Sequence, residues 1–178
     1  MILVAVGTFI HGFDELVAAA DGAAAELGLP GFAQIGHSRT LPTHLSFERF
    51  LPPAMLAARM ARASLVICHG GIGIVGEAMR AGKPIIAMPR RGRPTRASPA
   101  GDQVALVRRL GERYGIGVCD DGQRLTDLVR AQLAGGRPAP RYDLGSDVPA
   151  LIARFLAPAA TGQADQAAGL PPKLSRLS

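Results

Sequence analysis

The sequence predicts an α/β protein built on a doubly wound, mostly parallel sheet of six strands. Short apolar runs recur along the chain, and most of them are continuous, which is typical of parallel strands buried on both faces. Amphipathic stretches of helical length separate these runs, as expected when helices cover both faces of such a sheet. The 178 residues, 48% of them hydrophobic, suffice for one domain with a sizeable core.

The individual elements follow from these patterns and from the turn residues between them. Gly28 ends the first helix, and Pro52 and Pro53 begin the second, because proline is tolerated in the first helical turn. In total we predict strands over residues 2–6, 32–35, 45–50, 65–68, 85–88 and 116–119, and helices over residues 12–28, 52–63, 72–81, 102–113, 124–133 and 148–156.

Residues 1–157 are expected to form one ligand-binding domain. From residue 158 to residue 178 the chain is rich in Ala, Gly, Gln and Pro, and it shows no periodicity. Such a composition cannot bury enough apolar surface to become ordered, so we predict a disordered tail.

The formal net charge of +6 is concentrated in one segment. Such a basic patch can bind an anionic partner, or it can be a solvated surface. Aromatic residues are only 4% of the chain and no nucleic-acid-binding motif is present, which argues against a nucleic-acid partner. This segment, residues 90–113, contains two acidic residues, Asp102 and Glu112, and seven arginines: Arg90, Arg91, Arg93, Arg96, Arg108, Arg109 and Arg113.

We predict no disulfide, metal site or membrane-spanning segment. Cys68 and Cys119 end apolar runs without metal-binding spacing and read as reduced core residues, and the four histidines also lack ligand spacing. No signal peptide is visible, and the apolar runs are far shorter than the ~20 residues of a membrane helix. These features favour a cytoplasmic protein.

The most informative stretch is a strand, a glycine turn, a helix and a second strand over residues 64–88. The first strand is interrupted at His69-Gly70-Gly71, where the chain must turn sharply. Gly82 then occupies the position of a left-handed residue after a helix, and Pro84 prevents the helix from continuing. This pattern predicts a ligand-binding βαβ unit.

The chemistry of this unit favours a phosphorylated ligand. Glycines at the turn let backbone amides approach a ligand closely, and the helix N-terminus carries partial positive charge. His69, at the end of the strand, can donate a hydrogen bond to a phosphate oxygen, and Glu77, within the helix, can accept from two sugar hydroxyls. Together they predict a site for a nucleoside diphosphate with its ribose.

A dinucleotide site is the alternative, because Gly71, Gly73 and Gly76 also satisfy the G-x-G-x-x-G fingerprint. That fingerprint normally lies in the first βαβ unit and is followed about 20 residues later by an acidic residue. Here it follows the fourth predicted strand. The matching strand end carries Arg90 and Arg91, which would at best suit the 2′-phosphate of NADP. An NADP-binding oxidoreductase domain is therefore the weaker interpretation.

The loop after the first strand supplies a candidate catalytic residue. Gly7 and Thr8 turn the chain at the carboxyl edge of the sheet, where open α/β proteins bind ligands. His11 follows in this loop and could reach the cleft as a general base, or it could be a solvated loop residue. Thr8 is either a ligand contact or a helix cap.

These motifs, taken together, resemble a known family. The opening residues 1–8, with Phe13, Asp14, Leu16 and Val17, are similar to the glycosyltransferase family 28 C-terminal domain in its stand-alone form, as in Alg13, PssE and EpsF-like subunits. The chain also resembles the nucleotide-sugar signature of GT-B glycosyltransferases at His69, Gly70, Gly71, Gly73, Glu77, Gly82, Pro84, Pro89, Asp102 and Gln103.

The resemblance implies a single Rossmann-like domain, the donor-binding half of a GT-B enzyme. Asp102 has a second explanation, as the N-cap of the next helix. The family's usual histidine before the glutamine is missing, since residues 98–103 read Ser-Pro-Ala-Gly-Asp-Gln, and the identity of the base is left open. The residues expected to bind substrate are Gly7, Thr8, His69, Gly70, Gly71, Gly73, Glu77, Asp102 and Gln103.

The resemblance also implies a function. Members transfer a sugar from a UDP-sugar to a lipid-pyrophosphate-linked saccharide, with inversion and without a metal or other cofactor, in exopolysaccharide or glycan assembly. The acceptor half would be a membrane-associated subunit of the Alg14 or PssD kind, which would hold this chain at the inner face of the membrane. A non-catalytic nucleotide-sugar-binding regulatory subunit is the alternative within the same family.

Overall fold

Six parallel strands in the described part of the chain form one sheet. The computed structural model describes residues 1–92, 102–136 and 138–140, all within a unit that spans Met1–Asp143. The strands are β1 (Ile2–Ala5), β2 (Gly31–Gln34), β3 (Ser46–Glu48), β4 (Leu65–His69), β5 (Ile85–Met88) and β6 (Gly117–Val118). This sheet confirms the predicted fold class.

The strand order is β3-β2-β1-β4-β5-β6, and every pairing is parallel. The chain runs outward from β1 to β3 and then returns to place β4 on the other side of β1. In such sheets, ligands bind outside the carboxyl ends of the strands at the point where the order reverses. Ala5 lies opposite Cys68 in the register, so residues 6–8 and 69–71 meet at that crevice.

Within the described residues, five helices cover the two faces of the sheet. Ile2 and Val4 point into one core with Leu16, whereas Leu3 and Ala5 point into the other. This alternation along a buried strand is the reason for the doubly wound arrangement. The helices are α1 (Asp14–Glu26) and α5 (Leu125–Leu133) on the first face, and α2 (Pro53–Arg62), α3 (Ile72–Arg80) and α4 (Val104–Tyr114) on the second.

Most predicted boundaries are correct within a few residues, and the differences have local causes. β3 is shorter than predicted, and its three residues are exposed at the sheet edge. α4 begins at Val104, and the helix predicted from residue 124 is preceded by a 3₁₀ turn over Gly122–Arg124. The helix predicted over residues 148–156, the domain limit at residue 157 and the disordered tail lie outside the described residues.

The loop between β2 and β3 is held against α1 by a buried carboxylate. Asp21 accepts hydrogen bonds from the backbone amides of Thr43 (2.8 Å), His44 (3.0 Å) and Leu45 (2.8 Å), and from the Thr43 hydroxyl (3.0 Å). Burial alone would raise the pKa of Asp21, but these hydrogen bonds outweigh burial and lower it. Asp21 therefore remains ionised and stabilises a loop that has no regular structure of its own.

Candidate functional site

A cleft of about 710 Å³ opens at the carboxyl ends of β1, β4 and β5, where the strand order reverses. It combines backbone from two glycine-containing turns with apolar and charged side chains. Its lining consists of Gly7, Thr8, Phe9, Ile10, Leu56, His69, Gly71, Gly73, Ile74, Glu77, Arg90 and Gln103. A second cavity, of about 690 Å³ beside β6, contains none of the predicted site residues.

The cleft brings together most of the residues that we predicted to bind substrate. Three of the predicted residues do not line it. Gly70 faces the other way, where an added Cβ would lie 2.2 Å from the Val107 side chain. His11 is exposed in the loop after β1 and packs edge-on against Phe9, with the ring centroids 5.1 Å apart. Asp102 is exposed, and its carboxylate accepts a hydrogen bond from the Val104 amide at the start of α4.

His69 ends β4 and lies between two glycines. A Cβ added at Gly71 would approach the His69 Nε2 to 2.2 Å, and one added at Gly7 would approach its Cε1 to 2.7 Å. The ring is largely buried, and its Nδ1 has no hydrogen-bond partner among the described residues. Burial, aided by the nearby charge of Arg90, lowers the pKa of His69 to about 4. His69 is therefore neutral at neutral pH.

This neutral histidine makes stability depend on pH. The unfolded chain binds a proton at His69 below about pH 6.5, whereas the folded chain binds it only below about pH 4. Stability is therefore lost as the pH falls through this window, because the unfolded state binds more protons there. We expect the free energy of unfolding to decrease by about 2–3 kcal/mol across it.

Urea unfolding of wild type and His69→Gln at several pH values measures this effect. The variant should lose most of the pH dependence, since glutamine does not titrate. His37→Gln, at an exposed position, serves as the control and should retain it. Equal pH dependence in wild type and His69→Gln would contradict the prediction.

The N-terminus of α3 faces the cleft without a side-chain cap. Gly71 is the N-cap residue, and no side chain accepts hydrogen bonds from the first-turn amides. Gly73 and Ile74, in that turn, line the cleft. Uncapped amides and the helix dipole make this end of α3 suited to an anion.

The structure changes the explanation of the glycine motif. A Cβ added at Gly73 would meet no atom within 4 Å, and one added at Gly76 would come no closer than 3.7 Å, to the end of the Arg80 side chain. Gly71, in contrast, is required because the His69 ring fills the space beside it. The motif follows β4 rather than β1, so the position typical of dinucleotide-binding proteins is not reproduced.

Glu77 and Gln103 each add a polar side chain to the lining of the cleft. Glu77 is exposed on α3, one to two turns from the helix N-terminus. Gln103 precedes α4, and two hydrogen bonds join it to Arg90. The side-chain Oε1 of Gln103 accepts from the backbone amide of Arg90 at 3.2 Å, and the backbone amide of Gln103 donates to the Arg90 carbonyl at 2.9 Å. The side-chain Nε2 of Gln103 can donate to a ligand.

Sequence reasoning did not identify Gln34 as part of the site. Its Oε1 accepts from the Gly7 amide at 3.0 Å, and its Nε2 donates to the Gly7 carbonyl at 3.1 Å and to the Arg49 carbonyl at 2.8 Å. The amide and the carbonyl of Gly7 are therefore both bonded to Gln34. Gly7 would contact a ligand by van der Waals packing rather than by a hydrogen bond. A glutamine ending an otherwise apolar strand is the signal that could have indicated this role.

Within residues 1–92, 102–136 and 138–140, no helix has the length and hydrophobicity to cross a lipid bilayer. The same residues contain no group of three or more His, Cys, Asp or Glu side chains placed to hold a metal ion. Cys68 and Cys119 are both free and buried.

Comparisons with known proteins agree with this fold. The sequence matches the glycosyltransferase family 28 C-terminal domain over residues 1–103. The NMR solution structure of ALG13 is similar with a TM-score of 0.55 and 14% identity, over 87% of this chain and 94% of that one. No curated protein sequence matches.

Larger glycosyltransferases contain a similar domain. The glycotransferase of kitacinnamycin gives a TM-score of 0.53 at 23% identity, and the calicheamicin glycosyltransferase CalG4 gives 0.53 at 21%. The alignments cover 75% and 88% of this chain but only 34% and 43% of those enzymes, so this chain corresponds to less than half of each. At these identities the likeness establishes the fold. Because the family match covers more than half of the sequence, the protein belongs to the glycosyltransferase family 28 C-terminal domain family.

Proposed function

We propose that this chain is the donor-binding half of an inverting glycosyltransferase that uses a UDP-sugar. The observation that carries the proposal is the joint position of the uncapped α3 N-terminus and the exposed Glu77 on one cleft. A diphosphate at the helix N-terminus would place a ribose next along α3, within reach of the carboxylate. Membership in the family supports the same use of the cleft.

Each polar group then has a role in donor binding. The first-turn amides of α3 donate to the diphosphate, Glu77 accepts from the ribose hydroxyls, and Gln103 donates to the transferred sugar or its phosphate. His69 is neutral, so it can donate one hydrogen bond but adds no charge. Thr8, in the loop after β1, and the apolar side chains of Phe9 and Ile10 also line the cleft.

The base that activates the acceptor is not part of this cleft as it stands. His11 is our candidate, and its exposed position in the loop after β1 would let it meet an acceptor that approaches from outside. Its role depends on the second half of the enzyme. His11→Ala in the reconstituted enzyme would then lower turnover without changing donor binding.

We propose that the acceptor half is a separate polypeptide, since one domain of this kind accounts for 94% of the ALG13 structure that the chain resembles. A single wall cannot exclude water from the transferred sugar, so this domain would need that second half for transfer. We propose a membrane-associated subunit of the Alg14 or PssD kind, a lipid-pyrophosphate-linked saccharide as acceptor, and a cytoplasmic position at the membrane through that subunit. Transfer by the isolated chain would contradict this arrangement.

Glu77→Ala tests the donor site. We expect it to weaken UDP binding by about 1.5–3 kcal/mol, the range for a lost hydrogen bond to a charged group, while the protein remains folded. Isothermal titration calorimetry with UDP measures the loss, and circular dichroism checks the fold. Glu112→Ala, at another exposed helical glutamate, is the matched control and should bind UDP like wild type.

Three outcomes would count against the proposal. Unchanged UDP affinity in folded Glu77→Ala would remove this residue from the site. Binding of NADP but not of UDP by the wild-type protein would favour the oxidoreductase alternative. A protein that binds UDP-sugar yet shows no transfer with any partner subunit would instead be a regulatory binding subunit.

A further inference from the structure

Arg90, two residues beyond the end of β5, is a buried cation beside the cleft. Its residue is only 9% exposed, yet it lines the cleft. Its guanidinium donates to the Val6 carbonyl at 2.8 Å and to the Gly12 carbonyl. It also lies over the Phe13 ring, 4.7 Å from the centroid. These contacts fix the position of the charge on three sides.

The charge has no counter-ion among the described residues. The ion pairs found there join Arg91 and Arg108 to Asp120, and Arg130 to Glu26 and Asp127, and none involves Arg90. The Nε of Arg90 is also buried without a hydrogen-bond partner. Burying a charge is costly unless it is compensated, and two carbonyls and a ring compensate it only in part.

The other groups around the cleft cannot supply a full positive charge. His69 is neutral, and the α3 N-terminus carries about half an elementary charge. A diphosphate would bring at least two negative charges to this place. Arg90 is the full cation among the cleft-lining residues that the structure describes.

We propose that Arg90 provides the positive charge that balances the diphosphate of the bound nucleotide, an inference that rests on the proposed function above. Its guanidinium is already desolvated and held by the carbonyls of Val6 and Gly12, so it would not need to reorganise when the ligand binds. Because Arg90 is buried, its charge is less hydrated and attracts an anion more strongly than the charge of an exposed arginine does. The ligand would thus supply the counter-charge that the protein lacks.

A purely structural role is the competing explanation, because Arg90 also ties the loop after β1 to β5. The two roles differ in what they do to ligands of different charge. Loss of a tie would affect uridine and UDP alike. Loss of a charge would affect UDP and inorganic pyrophosphate, but not uridine.

Calorimetric titrations of wild type, Arg90→Met and Arg90→Lys with UDP, uridine and pyrophosphate separate these explanations. We expect Arg90→Met to weaken UDP and pyrophosphate binding about 10- to 100-fold and uridine binding only slightly. Arg90→Lys keeps the charge but loses the planar fork, so it should retain most of the preference for UDP over uridine.

Arg91→Met is the matched control, since it removes the same charge from the neighbouring residue. Arg91 is exposed, pairs with Asp120 and does not line the cleft, so UDP binding should not change. An unchanged ratio of UDP to uridine affinity in Arg90→Met would overturn the inference while leaving the proposed function intact. Arg90-dependent binding of pyrophosphate without binding of UDP would support the anion site and reject the nucleotide. No binding of either anion to wild type would reject both.

Discussion

A Gly12→Ala variant is expected to lose roughly 2–5 kcal/mol of stability, because a side chain at this position meets backbone on the neighbouring loop. An added Cβ would lie 2.5 Å from the Ser38 amide nitrogen and 2.5 Å from its Cα. Gly12 also has a φ of +62°, which L-residues adopt only at a cost. Backbone cannot rotate away as a side chain can, so the two loops must separate.

Gly28→Ala provides a control for the conformational part of this effect. Gly28 has the same φ of +62°, but a Cβ there would meet nothing within 4 Å. The Gly28→Ala variant should lose only about 1–2 kcal/mol of stability, because a residue with a Cβ must then adopt the left-handed backbone conformation. Chemical denaturation of the three proteins gives both values, and equal losses in the two variants would show that the approach to Ser38 is unimportant.

Asp21→Ala is expected to lower the free energy of unfolding by about 3 kcal/mol. The substitution leaves the amides of Thr43, His44 and Leu45 without their acceptor, and an unsatisfied buried donor costs about 1–3 kcal/mol. Partial access of water to this site keeps the total below the sum of three such penalties. Urea unfolding near neutral pH measures the loss.

Two further variants show whether the carboxylate is the cause. Asp21→Asn keeps one acceptor oxygen and should lose less than Asp21→Ala. Asp127→Ala removes an aspartate whose side chain is 80% exposed and pairs with the exposed Arg130, and it should change stability by less than about 1 kcal/mol. A loss of stability in Asp127→Ala as large as that in Asp21→Ala would mean that the change in net charge, and not the lost hydrogen bonds of Asp21, is the cause.

The parallel sheet and the βαβ unit can be predicted because their signals are local. The apolar runs match the strands, and Gly82 and Pro84 mark the end of α3 as expected. The cleft is predicted in part, since the strand ends that carry His69 and Gly7 must lie on the same edge of a parallel sheet.

The other contributors to the site cannot be found from local patterns. Arg90 reaches the carbonyls of Val6 and Gly12, which are 84 and 78 residues away in the sequence. Gly71 is a glycine because of the His69 ring, and Gly7 because of the same ring and its own φ of +75°. No spacing in the sequence reveals these contacts. The strand order likewise depends on which strands pair at long range, and periodicity does not specify it.

Because β1 lies between β2 and β4, the cleft forms only after distant parts of the chain have met. The Met1 carbonyl accepts a hydrogen bond from the Ser64 amide at 2.9 Å, which closes a loop of 63 residues. Closing such a loop lowers the conformational entropy of the chain before contacts in the sheet can stabilise it. Contacts between residues far apart in the sequence therefore slow folding. During synthesis, the chain would therefore remain without a complete cleft until Gln103, the last of the described residues that line it, has left the ribosome. The nucleotide binding that we propose would then report completed folding of the cleft rather than guide its early steps.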